Sequence, residues 1–136
     1  MKTRTLAMTL FLFSATTLAD VAVIVHPSNS NAIDATVIKK IFTGKSKSFS
    51  DGSKVSPVSQ SASSVVAAEF NKKALKKSSS QLKAYWSKLV FTGKGTPPKE
   101  LSNDADVLKH IASTPNAIGF ISVDSVDSSV KVVQKY

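Results

Sequence analysis

Five consecutive apolar residues, Val21-Ala22-Val23-Ile24-Val25, restrict the fold of this 136-residue chain more than any other feature. A strand with one wet face alternates apolar and polar side chains. An unbroken, mostly β-branched run offers water no polar side and reads as a buried strand. The segments that follow supply its cover. Asp34 can cap a helix whose apolar residues are Val37, Ile38, Ile41 and Phe42, and Gly44 is its natural C-terminal stop. Ser50-Asp51-Gly52 is a turn, and residues 55–58 form a short strand interrupted by Pro57. The polar stretch 59–64 leads into a helix over residues 65–75, with Val66, Ala67, Phe70 and Ala74 on one face. A third helix starts at Ser78-Ser79-Ser80 and turns Leu82, Tyr85, Trp86 and Leu89 toward the core. After a loop over 91–98, Asn103 caps a helix with Asp104 and Asp106 in its first turn and Val107, Leu108 and Ile111 on its buried face. Thr114-Pro115-Asn116 breaks that helix, and residues 117–123 and 129–133 read as the last strands. The order β-α-β-α-α-α-β-β predicts a single α/β layer structure without internal repeat.

Upstream of the first strand, Lys2 and Arg4 precede an apolar stretch over residues 6–13, and Thr17-Leu18-Ala19 completes a small-x-small site. These are the three parts of a secretory signal peptide, cleaved after Ala19. The expected organisation is therefore a signal peptide over residues 1–19 and one domain over residues 20–136, in the periplasm. The apolar stretch is shorter than the roughly 20 residues needed to cross a bilayer, so no membrane span is expected after cleavage.

Composition narrows the chemistry. Lysine and arginine total 18 against 9 carboxylates, a formal charge of +9, yet the only arginine is Arg4 in the leader. Without guanidinium forks, and without aromatics interleaved among the lysines, nucleic acid is not an expected partner. Cysteine is absent, which removes disulfides, thiolate metal sites and a cysteine nucleophile. Two histidines, His26 and His110, stand far apart, and no GxSxG elbow is present. Enzyme activity, a metal centre and a cofactor are therefore not expected. Lys39, Lys40, Lys72, Lys73, Lys76 and Lys77 crowd the ends of two helices, where they complement the negative dipole end. The alternative is a field that draws in anions.

One local feature stands out as a binding site. A helix start presents unpaired N–H groups and the positive end of the dipole, a ready anion site. Ser59, Ser61, Ser63 and Ser64 surround the start of the helix over 65–75 with hydroxyls, and no carboxylate follows until Glu69. An ordinary cap needs only one of them. A second candidate is the polar loop Ser28-Asn29-Ser30-Asn31, which leaves the first strand.

Several segments together resemble a known family. VIVHPSNSN at 23–31, IFTGK at 41–45, the turn at 49–51, residues 55–70, Tyr85-Trp86 and NAIGFI at 116–121 occur in a known order. The chain resembles the phosphate-binding proteins of bacterial phosphate ABC transporters, and specifically their short exported relatives. The resemblance implies one lobe of a type II periplasmic-binding-protein fold, a mixed sheet flanked by helices. It also implies an oxyanion held at a Ser-Gly-Thr turn that opens a helix and is preceded by an arginine. Ser64 matches the serine, with Ser63 beside it. Val65 and Val66 replace the glycine and threonine, and the arginine position falls near Ser59 or Gln60. The oxyanion candidates are therefore Ser63, Ser64 and Ser61, with Ser28 and Asn29 as the second group. Two functions follow: a module binding phosphate or a similar oxyanion, weakly if alone, or an exported interaction module that has lost its ligand. Either could serve an envelope transporter, a sensor or a second copy of itself.

Overall fold

A computed structural model describes residues 20–136; the leader expected over residues 1–19 lies outside the described residues. Five strands form one mixed sheet in the order β3-β2-β4-β1-β5. The strands are β1 (Val21–Val25), β2 (Ser56–Gln60), β3 (Lys99–Leu101), β4 (Ala117–Ser122) and β5 (Lys131–Lys135). β2 runs parallel to β3 and β4, whereas β1 is antiparallel to both β4 and β5. Four α-helices complete the fold: α1 (Ala35–Phe42), α2 (Val65–Phe70), α3 (Ser79–Phe91) and α4 (Asp104–Ser113).

The all-apolar β1 lies between two strands, and all five of its residues are buried. Because successive side chains point to opposite faces, it serves two cores. Val21, Val23 and Val25 join Ile118 and Phe120 of β4 beneath Ile38, Ile41 and Phe42 of α1 and Ala67 and Phe70 of α2. Ala22 and Ile24 join Ala117, Ile121 and Val58 against Val107 and Ile111 of α4. In the first core Phe70 stacks on Phe120 with centroids 4.0 Å apart and meets Phe42 edge-on at 4.9 Å. In the second, Gly119 admits the close approach of α4. A Cβ there would stand 2.8 Å from Val58 Cγ2 and 3.0 Å from Val107 Cγ1.

The α/β layer structure appears as expected, with four local differences. β2 begins at Ser56, because the Val55 N–H closes a hairpin on the Lys47 carbonyl, and it extends to Gln60 alongside β3. β3 was not legible: it is three residues long, two of them charged, and it pairs through its backbone on the edge of the sheet. β5 starts two residues later than expected, since the Asp127 carboxylate draws the Ser129 N–H and hydroxyl into a turn. The helix expected over 65–75 is α-helical to Phe70 and widens into a π-helical turn, Asn71–Leu75, ended by left-handed Lys76.

The third helix departs further. Only Trp86 of α3 is buried, and Leu82, Tyr85 and Leu89 are half-buried. α3 lies at the margin of the core, held by the Tyr85 hydroxyl donating to the Thr43 carbonyl at 2.6 Å and by Trp86 against Gly44.

Candidate functional site

The serine stretch leaves β2 and caps α2. Ser64 is extended, as a cap requires, and its Oγ accepts the Ala67 N–H at 3.3 Å. The same hydroxyl donates to Gln60 Oε1 at 2.9 Å, so Ser64 has one polar partner on each side. Ser61 Oγ and Ser63 Oγ lie 3.0 Å apart at the surface, and the Ser64 N–H donates to the Ser61 carbonyl at 2.8 Å. The Ser61 N–H in turn donates to the Leu101 carbonyl at the end of β3 at 3.0 Å. The three serines thus form one compact turn. Among the described residues, the backbone N–H groups of Val65 and Val66 have no hydrogen-bond acceptor within the chain. They are the donors a helix start leaves free for an anion or water.

Behind the turn is a buried polar network that the sequence did not single out. Gln60 is buried, and its Nε2 donates to Asp104 Oδ1 at 2.6 Å and to the Phe120 carbonyl at 3.1 Å. Asp104 opens α4, where sequence reads it as a dipole-complementing acid. Its second oxygen accepts the Ser122 N–H at 3.1 Å and the Ser125 hydroxyl at 2.7 Å. The network ties the start of α2 to the ends of β2 and β4 and to α4, so the free amides sit on a fixed base. At one of the two positions where the resemblance places an arginine, the chain therefore has a neutral amide turned inward. The one sequence signal was a glutamine ending an apolar strand, with an acid at a helix start far along the chain.

The second group of candidates lies elsewhere. Val25 is level with Ile118, and Ile118 with Pro57, while β1 and β2 run in opposite directions. Gln60 lies three residues beyond Pro57, about 10 Å along the sheet, and the chain leaves β1 the opposite way. Ser28 and Asn29 are thus at the other end of the sheet from Ser61, Ser63 and Ser64. There the Ser28 hydroxyl pairs with His26 Nδ1 at 2.7 Å. Asn29 is buried, its Oδ1 accepts from the Asn31 N–H and side-chain amide, and its carbonyl accepts from Lys131 Nζ at 3.0 Å. These bonds close a loop through Asn29 Oδ1 and its carbonyl and do not use its side-chain Nδ2.

Beside the serine turn opens a cleft of about 780 Å³, in the range of small-molecule sites. Ser59, Gln60 and Ala62 border it on one side and Trp86, Val90 and Phe91 of α3 on the other, with Glu100 at the edge. Among the described residues no group of three or more His, Cys, Asp or Glu side chains is placed to hold a metal ion. No described helix is long and apolar enough to cross a membrane.

No protein-family model matches the chain, and no curated protein matches it in sequence. Solved structures do match its fold. An ABC-type phosphate transport receptor from Vibrio cholerae superposes with a TM-score of 0.59 at 20% identity, over 86% of this chain and 47% of the receptor. A protein from Clostridium perfringens, assigned as a phosphate ABC transporter substrate-binding protein and solved with bound phosphate, gives 0.55 at 22% identity, over 86% and 46%. PstS from Borrelia burgdorferi gives 0.55 at 15% identity, over 85% and 47%. The chain has the fold of about half of a phosphate receptor, and spans about half the length of the structures it matches.

Proposed function

We propose that this chain is an exported protein, related to the substrate-binding proteins of phosphate ABC transporters, that binds phosphate or another small oxyanion at the start of α2. The observation that carries the reading is the pair of unbonded Val65 and Val66 amides beneath the Ser61-Ser63-Ser64 turn, in a fold shared with a phosphate-bound structure. The amides supply two donors and the Ser63 hydroxyl a third. Ser64 acts mainly through its cap, holding the amides in place. At roughly 1.5–3 kcal/mol per charge-assisted bond, three bonds give about 4.5–9 kcal/mol. Association costs at least about 4 kcal/mol, which leaves a dissociation constant no tighter than about 0.1 mM. No arginine reinforces the site, so tight binding requires the missing half from a second copy, a transporter or a sensor of the envelope.

Calorimetry in phosphate-free buffer tests this. The protein should give a saturable heat with millimolar phosphate. Ser64→Asp should abolish it, because aspartate caps a helix as well as serine does but sets a carboxylate against the incoming anion. The absence of heat from phosphate, sulfate and arsenate alike would refute the reading.

A further inference from the structure

Charge is unevenly distributed along this chain. Residues 70–99 carry eight lysines and no carboxylate, whereas residues 102–127 carry four aspartates and one lysine. The basic stretch and the 46–55 hairpin border a second cleft, of about 670 Å³, on the side of the sheet where β2 begins. Lys47, Lys54, Lys94 and Lys99 surround it, and no aspartate or glutamate lines it. Its floor is apolar, formed by Ile41, Trp86, Val90 and Pro97. At the end of α3, Val90 in this cleft is 53% exposed. Scattered apolar residues on a surface are ordinary, but an apolar trough ringed by cations of one sign is a recognition chemistry.

We infer that this cleft is the docking site for an acidic segment of a partner protein that carries a bulky apolar side chain among its carboxylates. The lysine ring attracts and orients the carboxylates. The trough takes the apolar side chain against Trp86 and Val90, burying surface that now faces water. A purely hydrophilic polyanion satisfies only the ring, and an uncharged apolar peptide only the floor. The site is separate from the serine turn, so oxyanion binding can fail without affecting it.

Trp86 is the only tryptophan of the chain and borders both clefts, so its emission reports on either, and the lysine variants assign a change to this one. The probe is a short synthetic peptide of alternating glutamate and leucine, titrated at low salt. A saturable shift of the emission is expected. Lys47→Glu with Lys54→Glu should weaken it about tenfold or more, since two attractions become repulsions. Both lysines are exposed, and Lys94→Glu, on a different loop, provides an independent variant with the same expected direction. The proposal is overturned if polyglutamate of equal length shifts the emission as strongly, or if the glutamate–leucine peptide gives no shift. It is also overturned if the protein self-associates with rising concentration and the lysine variants abolish that, which would assign the cleft to a second copy.

Discussion

The start of α2 and the end of α3 face each other across one cleft, yet they are built in opposite ways. Ser64 rests on Gln60, which is bonded to Asp104 and to the Phe120 carbonyl inside the sheet, and Phe70 at the far end of α2 stacks on Phe120. α3 is anchored by one buried ring, Trp86, by the Tyr85 hydroxyl and by half-buried Leu82 against the first core. A cradle for a small anion gains from fixed donors, because nothing need be ordered on binding. A surface for a protein segment tolerates, and uses, a lightly held element. The fixed side thus suits the proposed oxyanion site, and α3, whose Trp86 and Val90 also border the second cleft, suits the proposed docking of a protein segment.

Substitutions on either side test the contrast. Phe70→Ala should do most damage, about 3–5 kcal/mol in denaturant unfolding, because a fully buried ring with three aromatic neighbours leaves a cavity in the first core. Gln60→Ala should cost about 1–3 kcal/mol, since it strips donors from Asp104 and from the buried Phe120 carbonyl. A loss well below that range would mean that the network does not hold the start of α2.

Gly44→Ala probes the loose side. Gly44 has a φ of +74°, and a Cβ there would lie 2.9 Å from Trp86 Cη2. Strain of about 1–2 kcal/mol is expected, relieved by displacing α3. Hydrogen exchange should accordingly quicken across α3 and leave β1 and β4 unchanged. Exchange that quickens equally in the sheet would show that α3 and the core unfold as one unit.

Tyr136→Phe should change least. Its hydroxyl is buried without a hydrogen-bond partner, so removing it should alter stability by less than about 0.5 kcal/mol at neutral pH. Burial first, and the Asp34 carboxylate second, push the phenol above its ordinary value of 10.0. A raised value favours the protonated form in the fold. That contribution is therefore complete below pH 10 and is lost as pH rises through the folded-state value. Thermal melts of the two proteins should coincide below pH 10 and separate above it, the wild type falling faster.

How much of this was legible depended on how local the signal was. Val21–Val25 carried its own burial, and Asp34 and Gly44 marked both ends of α1 through cap chemistry and a positive φ. The serine turn was legible because a cap is written within a few residues. Its support was not: Gln60 and Asp104 are 44 positions apart and meet only once the sheet has formed. Nor could sequence tell that Ser28 and Asn29 lie at the opposite end from Ser63, since strand direction, not composition, decides it. The stripe on α3 had helical spacing, but spacing does not say how far a helix sinks, and here only Trp86 does.

Whether an oxyanion meets the chain at the Val65 and Val66 amides is decided by a phosphate titration followed residue by residue in 15N-resolved NMR. Saturable shifts are expected to be largest at Val65 and Val66, with Ser63 next, and none of comparable size at Ser28 or Asn29. Shifts confined to residues around Lys47, Lys54 and Lys94, or an unchanged spectrum at millimolar phosphate, would contradict binding at these amides.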